Sequence, residues 1–198
     1  MANSRKSKPN SLDGVEAAVS AALRPLLFPG AKLVLGLSGG LDSVVLLQVL
    51  RRLAGALGLC LSCVHVNHGI SPSARRWAAF CARKCKRLEI ALSVHQVDLD
   101  PYRAEGVEAA ARRARYQVYA QLQADFIVLA QHLDDQAETV LLQLLRGAGV
   151  KGGAAMPVLR QQGTGTGGMS ARGPAILRPM LALSRNQIEA YARANKLR

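Results

Sequence analysis

The sequence predicts an α/β domain with a doubly wound, mostly parallel sheet flanked by helices. Between residues 32 and 146, four apolar runs of strand length alternate with segments in which apolar residues recur at helical spacing. These runs are too apolar for a sheet with one face in water, which favours parallel strands covered on both faces.

Each element follows from a local pattern. A lead-in helix around residues 15–23 is closed by Pro25 and by a turn at Pro29-Gly30. Ser71 is the predicted cap of the second main helix, and Pro72 is its first residue. The alternating elements are predicted as strand 32–37, helix 43–57, strand 60–66, helix 71–88, strand 90–99, helix 105–123, strand 125–130 and helix 135–146.

The segment after this alternation is rich in glycine. Residues 160–173 are predicted to form a mobile glycine-rich loop between two short strands at 156–159 and 175–177. Ser184 and Gln187 then have the spacing of a capping box that opens a last helix.

Basic, polar residues 1–12 carry no apolar pattern, so we expect them to form a disordered tail. Residues 13–198 are then predicted to be one domain.

Composition limits the classes of function. Lys and Arg total 26 against 13 Asp and Glu, and the charge of +13 suits a polyanion, although a solvated basic surface is the other interpretation. The 49% hydrophobic content excludes generic disorder, and 4% aromatic content is low for a module that stacks bases. No apolar run approaches the roughly 18–20 residues of a membrane helix, so no membrane partner is expected.

The four cysteines, Cys60, Cys63, Cys81 and Cys85, have a spacing that permits a zinc site. Odd spacing on a strand points Cys60 and Cys63 to opposite faces, and the other two lie one turn apart on a predicted helix. Because no secretory signal is present, we expect reduced, buried thiols in a cytoplasmic protein.

The strongest motif joins the first strand to its helix and consists of Ser38, Gly39, Gly40, Leu41, Asp42 and Ser43. The glycines let backbone N–H groups approach an anion, and the helix N-terminus supplies unpaired donors and a partial positive charge. The serines add hydroxyl donors, and Asp42 is a candidate ligand for Mg²⁺. The motif is neither a Walker A loop nor a dinucleotide-binding fingerprint.

Polar residues also follow the other predicted strands, at the edge where the carboxyl ends of parallel strands meet. They are Asn67 and His68 after the second strand, Asp98 and Asp100 after the third, and residues 131–139 after the fourth. A local structural role can account for each of these clusters alone. Asp135 and Glu138 have the spacing of a capping box, and an isolated histidine usually finds its hydrogen-bond partners nearby. Their convergence beside the phosphate loop favours a site.

One predicted helix adds positive charge. Arg112 and Arg115 share a face of helix 105–123, which favours contact with phosphate, and a solvated face is the alternative.

Taken in order, the segments HVNHGIS, EAAARRARYQ, AQHLDDQAETVLLQLLRGAGVKGGAAMP and ILRPMLALSRNQI resemble the tRNA(Ile)-lysidine synthase family. With the S-G-G-x-D-S loop, the resemblance covers about residues 30–198 and implies the Rossmann-like fold of the N-type ATP pyrophosphatases. It also implies ATP-dependent ligation of lysine to C2 of cytidine 34 in the CAU anticodon of isoleucine tRNA. The reaction passes through adenylated tRNA and releases AMP and pyrophosphate.

The resemblance implies a site as well. Residues 38–43 would bind ATP, Asp42 would hold Mg²⁺, and tRNA(Ile) and free L-lysine would be the other substrates. Glu138 or Asp135 would orient lysine and help to deprotonate it, while Arg112 and His132 would stabilise charge on the phosphate and the leaving group. The implied catalytic positions are Asp42, Arg112, His132, Asp135 and Glu138, and the implied RNA-contacting positions are Asn67, His68, Arg112 and Arg115.

Two alternatives stay open. One is a tRNA thiolase of the same superfamily, which would need cysteines beside the strand ends, and the other is a non-catalytic nucleotide- or RNA-binding remnant. The sequence leaves the oligomeric state open, a homodimer included. Because the family continues into a C-terminal RNA-binding region, we expect the catalytic domain to be truncated before that region.

Overall fold

Six helices and six strands make up the computed structural model, which describes residues 14–147, 155–161 and 173–197. A short 3₁₀ helix, Asp100–Glu105, precedes α4. The helices are α1 Gly14–Leu23, α2 Leu41–Leu57, α3 Ala74–Leu88, α4 Val107–Ala120, α5 Leu133–Leu145 and α6 Arg185–Ala194. The strands are β1 Lys32–Gly36, β2 Cys60–Asn67, β3 Leu92–Gln96, β4 Phe126–Val128, β5 Leu159–Arg160 and β6 Ala175–Leu177.

The strands form one sheet in the order β3-β2-β1-β4-β6-β5. All neighbours pair in parallel except β5 and β6, which pair antiparallel at one edge. β1 is central, and its Leu33 lies between Leu61 of β2 and Phe126 of β4. The predicted mostly parallel sheet is confirmed, as is the strand pair on either side of the glycine-rich segment.

Helices cover both faces of this sheet. On one face, α1, α2, α3 and α6 bury a large cluster that includes Leu33, Leu35 and Ile188. On the other face, α4 packs on Val34 and Ile127, both almost fully buried. Successive side chains of β1 therefore enter opposite cores, as expected for a strand buried on both sides.

Several predicted boundaries are wrong for local reasons. The second main helix begins at Ala74 rather than at residue 71, because the Ser71 hydroxyl accepts the N–H of Ser73 in a preceding turn. The third strand ends at Gln96, where the chain turns towards the 3₁₀ helix. The predicted tail 1–12 and most of the predicted loop 160–173 lie outside the described residues.

The start of α5 also differs from the prediction. The helix begins at Leu133, and the Asp135 carboxylate accepts the backbone N–H of His132 at 2.8 Å. Asp135 therefore closes a capping box with His132, and the predicted box of Asp135 with Glu138 is wrong. In the described ranges, no helix is both long enough and apolar enough to cross a bilayer.

A buried polar network joins α1, α2 and α6. The Glu16 carboxylate accepts the Tyr191 hydroxyl at 2.7 Å and also pairs with Arg52. Arg52 in turn donates to Tyr191 at 3.1 Å and to Asn195 at 2.8 Å. Because Glu16 is only 6% exposed, its charge depends on these donors.

Replacing Glu16 with alanine is expected to lower the free energy of unfolding by about 2 kcal/mol, because the buried Tyr191 hydroxyl loses its acceptor. Urea denaturation followed by circular dichroism measures the change. The control Glu108→Ala, which removes an exposed carboxylate from α4, is expected to leave the midpoint almost unchanged. Equal losses in both variants would contradict a structural role for the Glu16 network.

Candidate functional site

A cavity of about 550 Å³ opens at the carboxyl ends of the central strands. It is lined by residues that follow β1, β2 and β4 and by one face of α4. The chain winds to β2 and β3 on one side of β1 and to β4 and β6 on the other. The cavity therefore lies at the topological switch point, where open α/β sheets bind ligands.

The loop 38–43 forms one wall of this cavity. Gly39 has a φ of +91°, and a Cβ there would lie 2.9 Å from the Trp77 ring, so both conformation and space require glycine. The Ser43 hydroxyl donates to the Gly40 carbonyl at 2.8 Å, and the Ser38 hydroxyl accepts the Gly40 N–H at 3.2 Å. These bonds brace the loop while the first N–H groups of α2, which begins at Leu41, lack intrahelical partners.

The loop thus fits a pyrophosphate group. The glycine at residue 39 allows the positive φ of the loop, and the start of α2 supplies N–H donors and the positive end of its dipole.

The end of β2 contributes two histidines. His65 is buried and its Nδ1 donates to the Leu37 carbonyl at 2.8 Å, which leaves its other ring nitrogen as an acceptor when the ring is neutral. Asn67 accepts the Gly69 N–H at 2.9 Å and so shapes the turn at the cavity. His68 Nδ1 is buried without a hydrogen-bond partner among the described residues.

Burial lowers the pKa of His68, and the positive charge of Arg115 lowers it further, ahead of a contribution from His65. His68 is therefore neutral at pH 7, and its unpaired ring nitrogen can serve a ligand in the cavity.

Arginines from α4 line the same cavity. Arg112 and Arg115 both face it, as predicted, and the Arg112 guanidinium lies 5.2 Å from the centre of the Tyr116 ring. Arg113 instead lies over Tyr102, at 4.8 Å, away from the cavity lining. Two arginines of α4 therefore face the cavity, whereas Arg113, which also lies over a tyrosine ring, does not.

Asp42 lies at the border between this cavity and a second group of charged residues. Both of its carboxylate oxygens accept from one nitrogen of Arg185, at 2.8 and 2.9 Å. His132 Nε2 lies 4.0 Å from Asp42 and 3.7 Å from Asp135. The structure therefore brings together three predicted catalytic residues, Asp42, His132 and Asp135.

Glu138 stands apart from this group. Its side chain is exposed on α5 and makes no hydrogen bond or ion pair with the residues described. His132, Asp135 and Glu138 are all absent from the lining of the 550 Å³ cavity. The predicted catalytic set is thus divided between the cavity and its neighbouring group, with Asp42 common to both.

Arg185 was missed by the sequence analysis. Its pKa is raised, first by its hydrogen bond to Glu189 and then by Asp42, so it remains a cation beside the loop. The Ser184–Gln187 capping box is confirmed, with the Gln187 N–H to Ser184 hydroxyl distance at 3.4 Å. That box places Arg185 at the first helical position, but no local pattern identifies Asp42, 143 residues away, as its partner.

Asp98 and Asp100 lie in a different place. They line a second cavity of about 810 Å³, which adjoins the first at His68, Gly69 and Ile70. The acidic residues after β3 are therefore neighbours of the loop's cavity rather than part of its wall.

The donor set determines how Mg²⁺ could be held. In the part of the chain that the structure describes, no three His, Cys, Asp or Glu side chains group as a metal site. Asp42 is the one acidic side chain in the cavity lining, and it already pairs with Arg185. The residues fit an ion carried mainly by nucleotide phosphates, with Asp42 as its protein ligand, and not an ion held by protein alone.

The cysteines do not form a metal site either. Cys60 is exposed, and Cys63, Cys81 and Cys85 are buried. Burial raises the pKa of Cys81 to about 12, so that thiol stays protonated. Among the described residues the cysteines do not group as a metal site, so the zinc interpretation is not supported. The protonated thiol of Cys81, which lies 3.8 Å from the Leu37 carbonyl, does not favour the cysteine chemistry of a thiolase.

Curated relatives resemble most of this chain. It is 46% identical over 175 residues to the tRNA(Ile)-lysidine synthase of Nitrosomonas europaea, which covers 88% of this chain and 37% of that protein. It is 48% identical over 160 residues to the tRNA(Ile)-lysidine synthase of Chromobacterium violaceum, covering 80% and 35%. The chain thus spans little more than a third of the length of these relatives.

A solved structure supports the fold. The U34-tRNA thiolase NcsA from Methanococcus maripaludis, described with its 4Fe-4S cluster, matches with a TM-score of 0.72 at 20% identity. The match covers 93% of this chain and 64% of that one. At this identity the likeness concerns the architecture alone.

The sequence profile of the PP-loop domain family matches residues 9–198, which include every residue of the cavity. The glycine at residue 39, the braced serines and the start of α2 give that match a physical basis. The chain belongs to the PP-loop domain family.

Proposed function

We propose that this chain carries the ATP-dependent catalytic part of a tRNA(Ile)-lysidine synthase. The similarity to synthases of that name, across 80–88% of the chain, supports the choice of substrates. The observation that carries the proposal is the position of Asp42, between a nucleotide-sized cavity and the group of His132, Asp135 and Arg185. The proposed ligation has two steps, and these two adjoining regions would bind the nucleotide and the amine.

In the first step, the C2 oxygen of cytidine 34 attacks the α-phosphorus of ATP. An O–P bond forms, the bond from that phosphorus to the bridging oxygen breaks, and pyrophosphate leaves. The loop 38–43 holds the departing pyrophosphate through backbone N–H groups, and Arg112 stabilises the charge that develops on the phosphate. Mg²⁺ on the phosphates, with Asp42 as its protein ligand, would neutralise part of that charge.

In the second step, the ε-amino group of lysine attacks C2 of the activated cytidine. A C–N bond forms, the bond from C2 to the AMP oxygen breaks, and the amine loses a proton. An ammonium is not a nucleophile, so a carboxylate must hold and deprotonate it. Asp135, whose carboxylate also accepts the His132 N–H, or Glu138, which is exposed one turn further along α5, would take this role.

The charge distribution suits a tRNA partner. The chain carries a net charge of +13, and the cationic Arg112 and Arg115 and the neutral His68 line the cavity. Phosphate contacts by such residues position an RNA strand, and base contacts then specify it. We assign Asn67, His68, Arg112 and Arg115 to this RNA-facing side, with CAU-anticodon isoleucine tRNA as the partner and the cytoplasm as the site of action.

The direct test supplies the purified chain with ATP, labelled lysine and a transcript of isoleucine tRNA with the CAU anticodon. We expect label in the tRNA and stoichiometric AMP and pyrophosphate. A transcript with guanosine at position 34 is the control and should take up no label. Nucleotide binding without label transfer would instead identify a non-catalytic binding module, and sulfur incorporation would identify a thiolase.

Asp42→Asn is expected to lower pyrophosphate release by about 100-fold or more, because the cavity then loses the carboxylate that would hold the Mg²⁺ that balances the phosphate charge. Release is followed with a coupled phosphate assay, and circular dichroism checks the fold. Glu108→Gln removes an exposed carboxylate outside the cavity and should retain normal turnover. Normal turnover of Asp42→Asn would remove this residue from the mechanism.

Arg185→Gln should lower the Mg²⁺ concentration needed for half-maximal ATP binding by up to about fivefold, since a partly exposed ion pair contributes up to ~1 kcal/mol. Isothermal titration calorimetry at several Mg²⁺ concentrations measures this midpoint. Arg193→Gln is the matched control, because Arg193 lies on the same helix and pairs with Glu189 rather than with Asp42. An unchanged midpoint in Arg185→Gln would show that arginine and metal do not compete for Asp42.

A further inference from the structure

Arg178 is the one fully buried cation among the described residues, with 1% of its surface exposed. No carboxylate in the described part of the chain lies within ion-pair distance of its guanidinium. Burying a charge is costly unless it is paired or well hydrogen-bonded, so the position needs an explanation.

Its donors are used on neutral acceptors from three separate segments. Nε donates to the side-chain oxygen of Gln131, which follows β4. The two terminal nitrogens donate to the Pro157 carbonyl at 3.2 Å and to the Tyr116 hydroxyl at 3.4 Å. A planar guanidinium can hold three acceptors in a fixed fork, which the ammonium of lysine cannot do.

Two of these acceptors belong to the candidate site. Gln131 and Tyr116 both line the 550 Å³ cavity, whereas Arg178 does not reach it. The Tyr116 ring also carries the guanidinium of Arg112, at 5.2 Å. A chain of contacts therefore runs from Arg178 through Tyr116 to an arginine that faces the cavity.

The electrostatics agree with this arrangement. Burial lowers the pKa of Arg178, and the charges of Arg160 and Arg112 lower it further, while Tyr116 opposes the shift. Arg178 thus lies behind the positive side of the cavity, where burial and the neighbouring arginines disfavour its charged form. An anion that enters the cavity relieves this repulsion.

We propose that Arg178 is a positioning residue, which aligns Gln131 and the Tyr116–Arg112 pair along the cavity wall so that Arg112 meets the phosphate of the bound nucleotide. The assay described next measures the proposed reaction, so the inference rests on the proposed function. It assigns Arg178 no contact with substrate.

The test is a double-mutant cycle on kcat/KM for ATP, read from tRNA-dependent AMP release. Tyr116→Phe removes only the hydroxyl that Arg178 holds, and Arg178→Lys keeps the charge but loses the fork. Each is expected to lower kcat/KM by about 10-fold, within the range that small misplacements cause. In an Arg112→Gln background the same changes should have almost no further effect, because the residue that they position is gone.

Tyr102→Phe is the matched control. Its hydroxyl donates to Gln117 at 2.9 Å and its ring lies against Arg113 at 4.8 Å, so a hydroxyl is removed from a second arginine-contacting tyrosine outside the cavity. We expect its kcat/KM to stay within twofold of wild type. Thermal melting of every variant separates loss of alignment from loss of fold.

Effects of Arg178 and Arg112 that simply add would overturn the proposal, and so would full activity of Tyr116→Phe or of Arg178→Lys. Failure of the proposed function is distinguishable, since the wild-type chain would then release no AMP with tRNA, ATP and lysine. In that case the same cycle is measured on the Kd for ATP by calorimetry, where positioning of Arg112 again predicts non-additive losses.

Discussion

The parallel pairing of β1 with β4 is the constraint on which the site depends. Between these two strands the winding of the chain reverses, so their connections diverge and leave a crevice above the sheet. The register places Leu35 of β1 opposite Val128 of β4. Three residues further on, Ser38 and Gln131 therefore emerge at the same height and line one cavity. A slip of either strand would separate the loop 38–43 from the residues that follow β4.

Within that crevice, positive side chains outnumber negative ones, which suits a nucleotide. Arg112 and Arg115 face the cavity and burial keeps His68 neutral, so a polyphosphate meets positive charge with little competition from carboxylates. Asp42 is the exception, and in the proposed reaction its pairing with Arg185 would limit its repulsion of phosphate until Mg²⁺ binds. The same ion pair connects the cavity to the group around His132, where an amine substrate would meet acidic side chains.

Contiguous patterns in the sequence predicted the features that arise locally. The alternation of elements, the position of loop 38–43 between β1 and α2, and the Ser184–Gln187 box each depend on residues a few positions apart, and these structural predictions are confirmed. Arg178 and Arg185 escaped prediction because their partners are distant along the chain: 21 to 62 residues for Arg178, and 143 residues for the pairing of Arg185 with Asp42. The apolar spacing of α5 predicts a helix but does not predict how that helix packs. In the structure, none of the residues of α5 is buried.

The segment from β6 into α6 links the packing of the core to the arrangement of the candidate site. This segment provides Arg178 behind the cavity and Arg185 beside Asp42, so both depend on where β6 and α6 are held. β6 is fixed by parallel pairing with β4, and α6 packs on α2. Near its far end, α6 is tied to α1 and α2 through Tyr191, Glu16 and Arg52. A buried carboxylate distant from the cavity thus helps to set the position of the arginine that neutralises Asp42.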